Sequence, residues 1–136
     1  MDTTASGHPT ALWIVRVAAL AHLALLLWEG ATAGQFMTTN PGGLPLHYLG
    51  AFGVHAAAGV QVLAAAWLWW GAGRGPGGAR TLLLVSAVAF VLGFPQAAMG
   101  SYGPIQAHVP VALLLTGVAV WAAVLAWRRT PASQAS

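Results

Sequence analysis

Apolar residues fall in four long stretches, about Leu12 to Gly34, Leu46 to Gly71, Thr81 to Met99 and Ile105 to Trp127. Each has roughly the 20 residues that a helix needs to cross a hydrocarbon core. The joints between them carry turn chemistry: TTNPGGLP at Thr38 to Pro45, GAGRGPGG at Gly71 to Gly78, and SYGP at Ser101 to Pro104. Pro95, two residues after Gly93, falls inside the third stretch and predicts a kink there. Residues 1–11 and 130–136 are small and polar, and read as flexible tails.

Composition excludes a water-soluble domain. Of the 136 residues, 58% are apolar and 5% charged, and the acidic residues are Asp2 and Glu29 alone. The net charge of +3 comes from Arg16, Arg74, Arg80, Arg128 and Arg129, each beside an apolar run. That is a membrane pattern, and it argues against a nucleic-acid-binding face. With no cysteine, the chain has no disulfide, thiolate nucleophile, iron–sulfur cluster or cysteine-based zinc site. The N-terminus lacks a basic start and the first apolar run is too long for a secretory signal, so it is read as a retained helix.

The arginines also predict orientation. All five fall on one side if the chain crosses the membrane four times, whereas the loops at 35–45 and 100–104 contain no Lys or Arg. Trp13, Trp67, Trp69, Trp70 and Trp127 fall at the same boundary as the arginines, as an interfacial aromatic belt would. The expected fold is therefore an all-α integral membrane protein. It is a single antiparallel bundle of four transmembrane helices in the cell membrane, with both termini cytoplasmic, loops 35–45 and 100–104 outside, and the lipid bilayer as its first partner.

Polar groups in hydrocarbon are costly, so each ionisable residue inside a span is a candidate functional group. Glu29, His47, Gln96 and His108 fall near the outer ends of helices one to four. His22 and His55 form a second layer near mid-membrane, at a depth of roughly 16 to 18 Å, with Gln61 as a neutral companion. His22 and Glu29 are seven positions apart and share a face. Taken singly, His47 and His108 read as interfacial residues, Glu29 as a packing residue, and His22 with His55 as polar glue between helices one and two. Taken together, two histidines at one depth on different helices are what axial ligation of a haem iron requires. A copper or zinc ion on Glu29, His47 and His108 would need the same convergence. Gly50, Gly53 and Gly59 on helix two serve either close helix packing or room for a flat cofactor.

The two halves echo each other: EGATAG followed by LHYLGA in the first, PQAAMG followed by AHVPVA in the second. A parallel repeat of this kind would set His47 opposite His108 about a pseudo-twofold axis. The run FVLGFPQAAMGSYGPIQAHVPVALLL, Phe90 to Leu115, resembles the third-to-fourth helix region of one four-helix half of the haem A synthase family. LPLHYLGAFGVHAAAG, Leu44 to Gly59, is similar to that family's second helix. The resemblance spans about residues 12 to 127. It implies that His47 and His108 are axial haem ligands, and the reading built on it is a haem b with Glu29 and Gln96 near its propionates or rim. The chain supplies one half where the family has two, has no cysteine pair, and has no carboxylate shortly before His47. What it implies is thus a haem-binding relative without synthase chemistry, acting as a homodimer or within a larger membrane complex.

The leading expectation is a small b-type haem protein in electron transfer or haem handling. A cofactor-free accessory subunit of a larger membrane complex, and a metal- or proton-handling site built from Glu29, His47 and His108 and continued by His55 and His22, remain open beside it. Whether the protein is an enzyme is undecided by the sequence.

Overall fold

The computed structural model describes residues 9–38, 40–74 and 77–129. It contains four helices: α1 (Pro9–Thr38), α2 (Gly43–Gly71), α3 (Gly78–Ser101) and α4 (Ile105–Trp127). All four are long and apolar enough to cross a membrane. Of the expected tails, residues 1–8 and 130–136 lie outside the described residues, while Pro9, Thr10 and Ala11, expected in the first tail, belong to α1.

The first three helices run past the apolar stretches that announce them. Pro9 opens α1, where its missing N–H costs nothing and its fixed φ suits the first turn. Pro45 is the third residue of α2, again within the turn whose N–H groups have no helical partner, so it does not end the helix as a loop reading supposes. Gly43 likewise belongs to a helix. A Cβ there would come within 2.8 Å of both the Thr32 carbonyl oxygen and the Phe36 amide nitrogen, so its absence lets the α1 and α2 backbones approach closely here. Pro95 lies inside α3 and Pro110 inside α4; the second carries no sequence signal beyond its identity.

Each helix packs against its neighbours in sequence, α1 most extensively against α2, and α4 closes the ring onto α1. This leaves α2 and α4 facing each other across a diagonal. Small residues point inward and large ones outward. Ala64, Ala65, Ala122 and Ala126 are buried, while Leu27, Phe52, Leu63 and Leu113 are exposed on the bundle's surface. Lipid is as apolar as leucine, so burying bulk gains little here, and close backbone approach with dispersion contacts holds the helices together.

The bundle has two different ends. At one, which we call the arginine end, Ala11, Leu12, Val15, Ala64, Ala65, Leu68, Leu82, Val85, Ala122 and Ala126 form a continuous apolar cluster. Arg16 closes it. Its Nε donates to the Ala126 carbonyl at 3.1 Å and its Nη2 to the Arg129 carbonyl at 2.6 Å, which satisfies acceptors that the last turn of α4 leaves without helical donors. The guanidinium lies 5.1 Å from the Trp13 ring centroid and 4.9 Å from that of Trp127, so two indole faces cover the charge. The sequence marks Arg16 as an orientation signal; the structure adds that it fastens α1 to α4. The other end, the histidine end, holds the polar residues described next.

Candidate functional site

His47 reaches the site from the first turns of α2, opposite Glu29 and Thr32 of α1. Its Nδ1 lies 3.0 Å from Glu29 Oε2, 3.1 Å from the Glu29 carbonyl oxygen and 3.3 Å from Thr32 Oγ1. Thr32 itself donates its hydroxyl to the Trp28 carbonyl at 3.0 Å, so a lone pair of Oγ1 is what it offers the ring. Three acceptors around one nitrogen place the proton on Nδ1 and leave Nε2 with a lone pair.

His108 repeats the arrangement from α4. Its Nδ1 lies 2.8 Å from the backbone carbonyl of Gln96 on α3, and a carbonyl can only accept, so the proton is again on Nδ1. The Gln96 side-chain nitrogen lies nearly equidistant from the two ring nitrogens, 3.2 Å from Nδ1 and 3.3 Å from Nε2. In both halves a histidine at the start of one helix is thus held through Nδ1–H by a backbone carbonyl near the end of the preceding helix. This is the physical content of the sequence echo.

The two imidazoles come together, with ring centroids 6.2 Å apart and planes at 74°. Glycines set their positions. A Cβ on Gly50 would collide with Glu29 Oε1, and one on Gly100 would lie 2.7 Å from the His108 ring. Either carboxylate or ring would have to move. Glu29 Oε1 is buried and makes no hydrogen bond, because Gly50 and its surroundings offer no donor.

These contacts bear on what the site could hold. Two metal–imidazole bonds of about 2 Å on opposite sides of one ion, with the ring radii added, set the ring centroids roughly 6 Å apart. The observed spacing fits that of two axial ligands. Each Nδ1–H is tied to an oxygen acceptor, as in histidines that ligate through Nε2. The pair therefore offers two imidazole nitrogens of the kind a haem iron takes from protein, with the rings meeting edge-on. They do not fit an ion held by protein alone: among the described residues no group of three His, Asp or Glu side chains is placed to hold one. Glu29 is engaged with Nδ1 of His47, on the side of the ring away from Nε2.

The inner layer departs from expectation. His22 does not bond His55. Its Nδ1 lies 3.4 Å from Gln61 Oε1, and Gln61 Nε2 donates to Ser86 Oγ at 2.9 Å, so the polar link joins α1, α2 and α3. His55 turns its Nδ1 back to the Ala51 carbonyl of its own helix at 2.8 Å, and its ring meets Phe94 edge-on with centroids 4.6 Å apart. Nδ1 of His22 meets the Gln61 carbonyl oxygen and Nδ1 of His55 the Ala51 carbonyl, so neither ring bonds the other through Nδ1. Thr32 and Ser86 are the site residues that sequence reading passed over. Thr32 lies three positions after Glu29 on the same face, and Ser86 is the one hydroxyl in the run from Leu82 to Phe94.

A cavity of about 570 Å³ lies away from these histidines. It is an apolar groove between α1 and α2 lined by residues such as Ala18, Ala21, Leu25, Gly53, Ala56 and Ala57. Comparison with protein-family models, with curated proteins and with solved structures finds no match for the chain.

Proposed function

We propose that the protein is a small b-type haem protein of the cell membrane, with His47 and His108 as axial ligands, serving electron transfer or haem handling. In this reading the helices form an antiparallel bundle, the arginine end and both termini face the cytoplasm, and the histidine end faces outward. The observation that carries it is the matched pair of imidazoles, each anchored through Nδ1–H, with centroids 6.2 Å apart.

When bound, the haem would supply one-electron redox chemistry at a potential tuned by its ligands and by burial. The chain's own residues orient and exclude. The Glu29 carboxylate beside His47 Nδ1–H makes that ring the stronger donor to a metal, while the neutral carbonyl of Gln96 does less for His108. Gln96 holds the His108 ring through its backbone carbonyl and sets its side-chain amide beside that ring. His47 of α2 and His108 of α4, on the diagonal helix pair, would hold the group. The apolar cluster of the arginine end keeps water from reaching the site through the bundle.

The test is an absorption spectrum of the purified protein produced with ample haem, oxidised and then dithionite-reduced. Sharp, split reduced bands of a six-coordinate b-type haem are expected. A well-folded but colourless protein would contradict the reading. The small-residue groove between α1 and α2 favours the second reading, a cofactor-free subunit that receives a helix of a larger membrane complex. It predicts that colourless outcome, together with histidines that can be replaced without loss.

A further inference from the structure

The groove between α1 and α2 has a definite length, a closed end and an open end. Its walls run from Trp13 and Ile14 to Leu25 on α1 and from Val60 to Gly53 on α2. At the rise of a helix, the step from Ile14 to Leu25 covers about 17 Å, roughly half of a hydrocarbon core about 30 Å thick. At the inner end Leu25 sits over Gly53, where an added Cβ would lie 3.1 Å from the leucine Cδ2. One turn further the Trp28 indole lies against Gly50, 2.9 Å from where a Cβ would stand there. These two side chains stop the groove half-way along the bundle. Its other end opens beside Trp13, in the first turns of α1 at the arginine end.

The lining selects the occupant. Every side chain along it is apolar, so the groove offers none of the polar partners that an ordered water needs. A helix of another subunit would need a seat along the whole core, and this one ends half-way. A groove one leaflet long, entered from that leaflet's surface, matches a single acyl chain. Its alanine floor lets such a chain make dispersion contacts along its flanks as well as beneath, which a flat helix face does not offer.

The mouth is positively charged. The Arg16 guanidinium lies 5.1 Å from the centroid of the Trp13 ring that lines it. Arg74, exposed just past the end of α2, lies 5.5 Å from the Trp70 ring centroid. Arg80 and Arg128 are exposed at the same end. Among the described residues this end carries no carboxylate, because Glu29 lies with the histidines. Indoles at the membrane boundary beside arginines that no acid neutralises suit an anionic headgroup.

We infer that the groove binds one anionic phospholipid of the leaflet at the arginine end, with an acyl chain laid along Ala18, Ala21, Ala56 and Ala57 and the headgroup beside Arg74. This goes beyond the haem reading, holds whether or not a cofactor binds at His47 and His108, and gives the groove a different occupant from the helix of the second reading.

The test is native mass spectrometry of the full chain, reconstituted in vesicles of equal phosphatidylglycerol and phosphatidylcholine and released into mild detergent. One retained phospholipid per chain is expected. Phosphatidylglycerol should be enriched in it about fivefold, the preference that one arginine at a membrane surface gives an anionic lipid. Ala21→Phe and Ala56→Phe fill the groove from exposed positions and are expected to abolish retention, whereas Val91→Phe, on the exposed face of α3, is expected to keep it. Arg74→Asn suits the left-handed backbone at that position, with φ of 59°, and is expected to keep the lipid and lose its headgroup preference. No retained lipid, equal retention of the two headgroups, retention untouched by the groove variants, or a second copy of the chain in the lipid's place would each overturn the inference. Circular dichroism checks that the variants fold; should the phenylalanine variants not fold, the stoichiometry and headgroup ratio of the wild type with those of Arg74→Asn decide it.

Discussion

At the arginine end the helices meet through Ala64, Ala65, Ala122 and Ala126 around Leu12, Leu68 and Leu82, while at the histidine end the same four helices meet through Glu29, His47, Gln96 and His108. The first set has no hydrogen bond to satisfy and can pack by shape alone. Its polar member, Arg16, is fully occupied in closing α4. The second set spends its hydrogen bonds on fixing histidine tautomers and leaves a buried oxygen of Glu29 without a protein partner. One end is held by close apolar packing, the other by polar bonds between helices, which add on the order of 1 kcal/mol each.

The contrast can be broken by substitution. Leu82→Ala, at a fully buried position of the apolar cluster, is expected to cost about 2–5 kcal/mol in thermal unfolding of the detergent-solubilised protein and to leave the histidine end unchanged. A similar loss from His47→Ala would erase the distinction between the ends. Arg16→Met removes hydrogen bonds from a charged donor and is expected to cost about 1.5–3 kcal/mol. Faster amide exchange over the last turn of α4 should accompany it, and Arg16→Lys should restore part of the loss, since a lysine lacks the planar fork. Gly50→Ala and Gly100→Ala push into Glu29 and His108 and are expected to cost about 1–3 kcal/mol. Gly117→Ala, with nothing within 4 Å of the new methyl, should change stability by at most about 1 kcal/mol, and in the stabilising direction. Thr32→Val, which removes one of three acceptors from His47 Nδ1, is expected to cost about 0.5–1.5 kcal/mol.

Much of this is legible in the chain. The number and span of the helices follow from apolar runs of membrane length, and the last helix agrees at both ends with its run. The others are longer because Pro9, Gly43 and Pro45 fall in first turns, where proline and glycine carry no penalty and so no longer mark a loop. The grouping of Glu29, His47, Gln96 and His108 was readable from depth alone, because near-equal distance from four helix ends is a one-dimensional quantity. The partner of His22 was not, since choosing Gln61 over His55 depends on rotation about the helix axes, which nearly uniform apolar sequence does not encode. The same holds for Arg16, whose position relative to Ala126 is a tertiary fact.

The central claim is that His47 and His108, and not the inner histidines, are the ligating pair. The most direct measurement is the reduced absorption spectrum of haem-loaded protein for four single variants, His22→Ala, His47→Ala, His55→Ala and His108→Ala, with helix content checked by circular dichroism. The account predicts that the six-coordinate b-type spectrum is lost in the His47 and His108 variants and kept in the other two. Loss in the inner variants with retention in the outer ones, or no haem bound by the wild type, would contradict it.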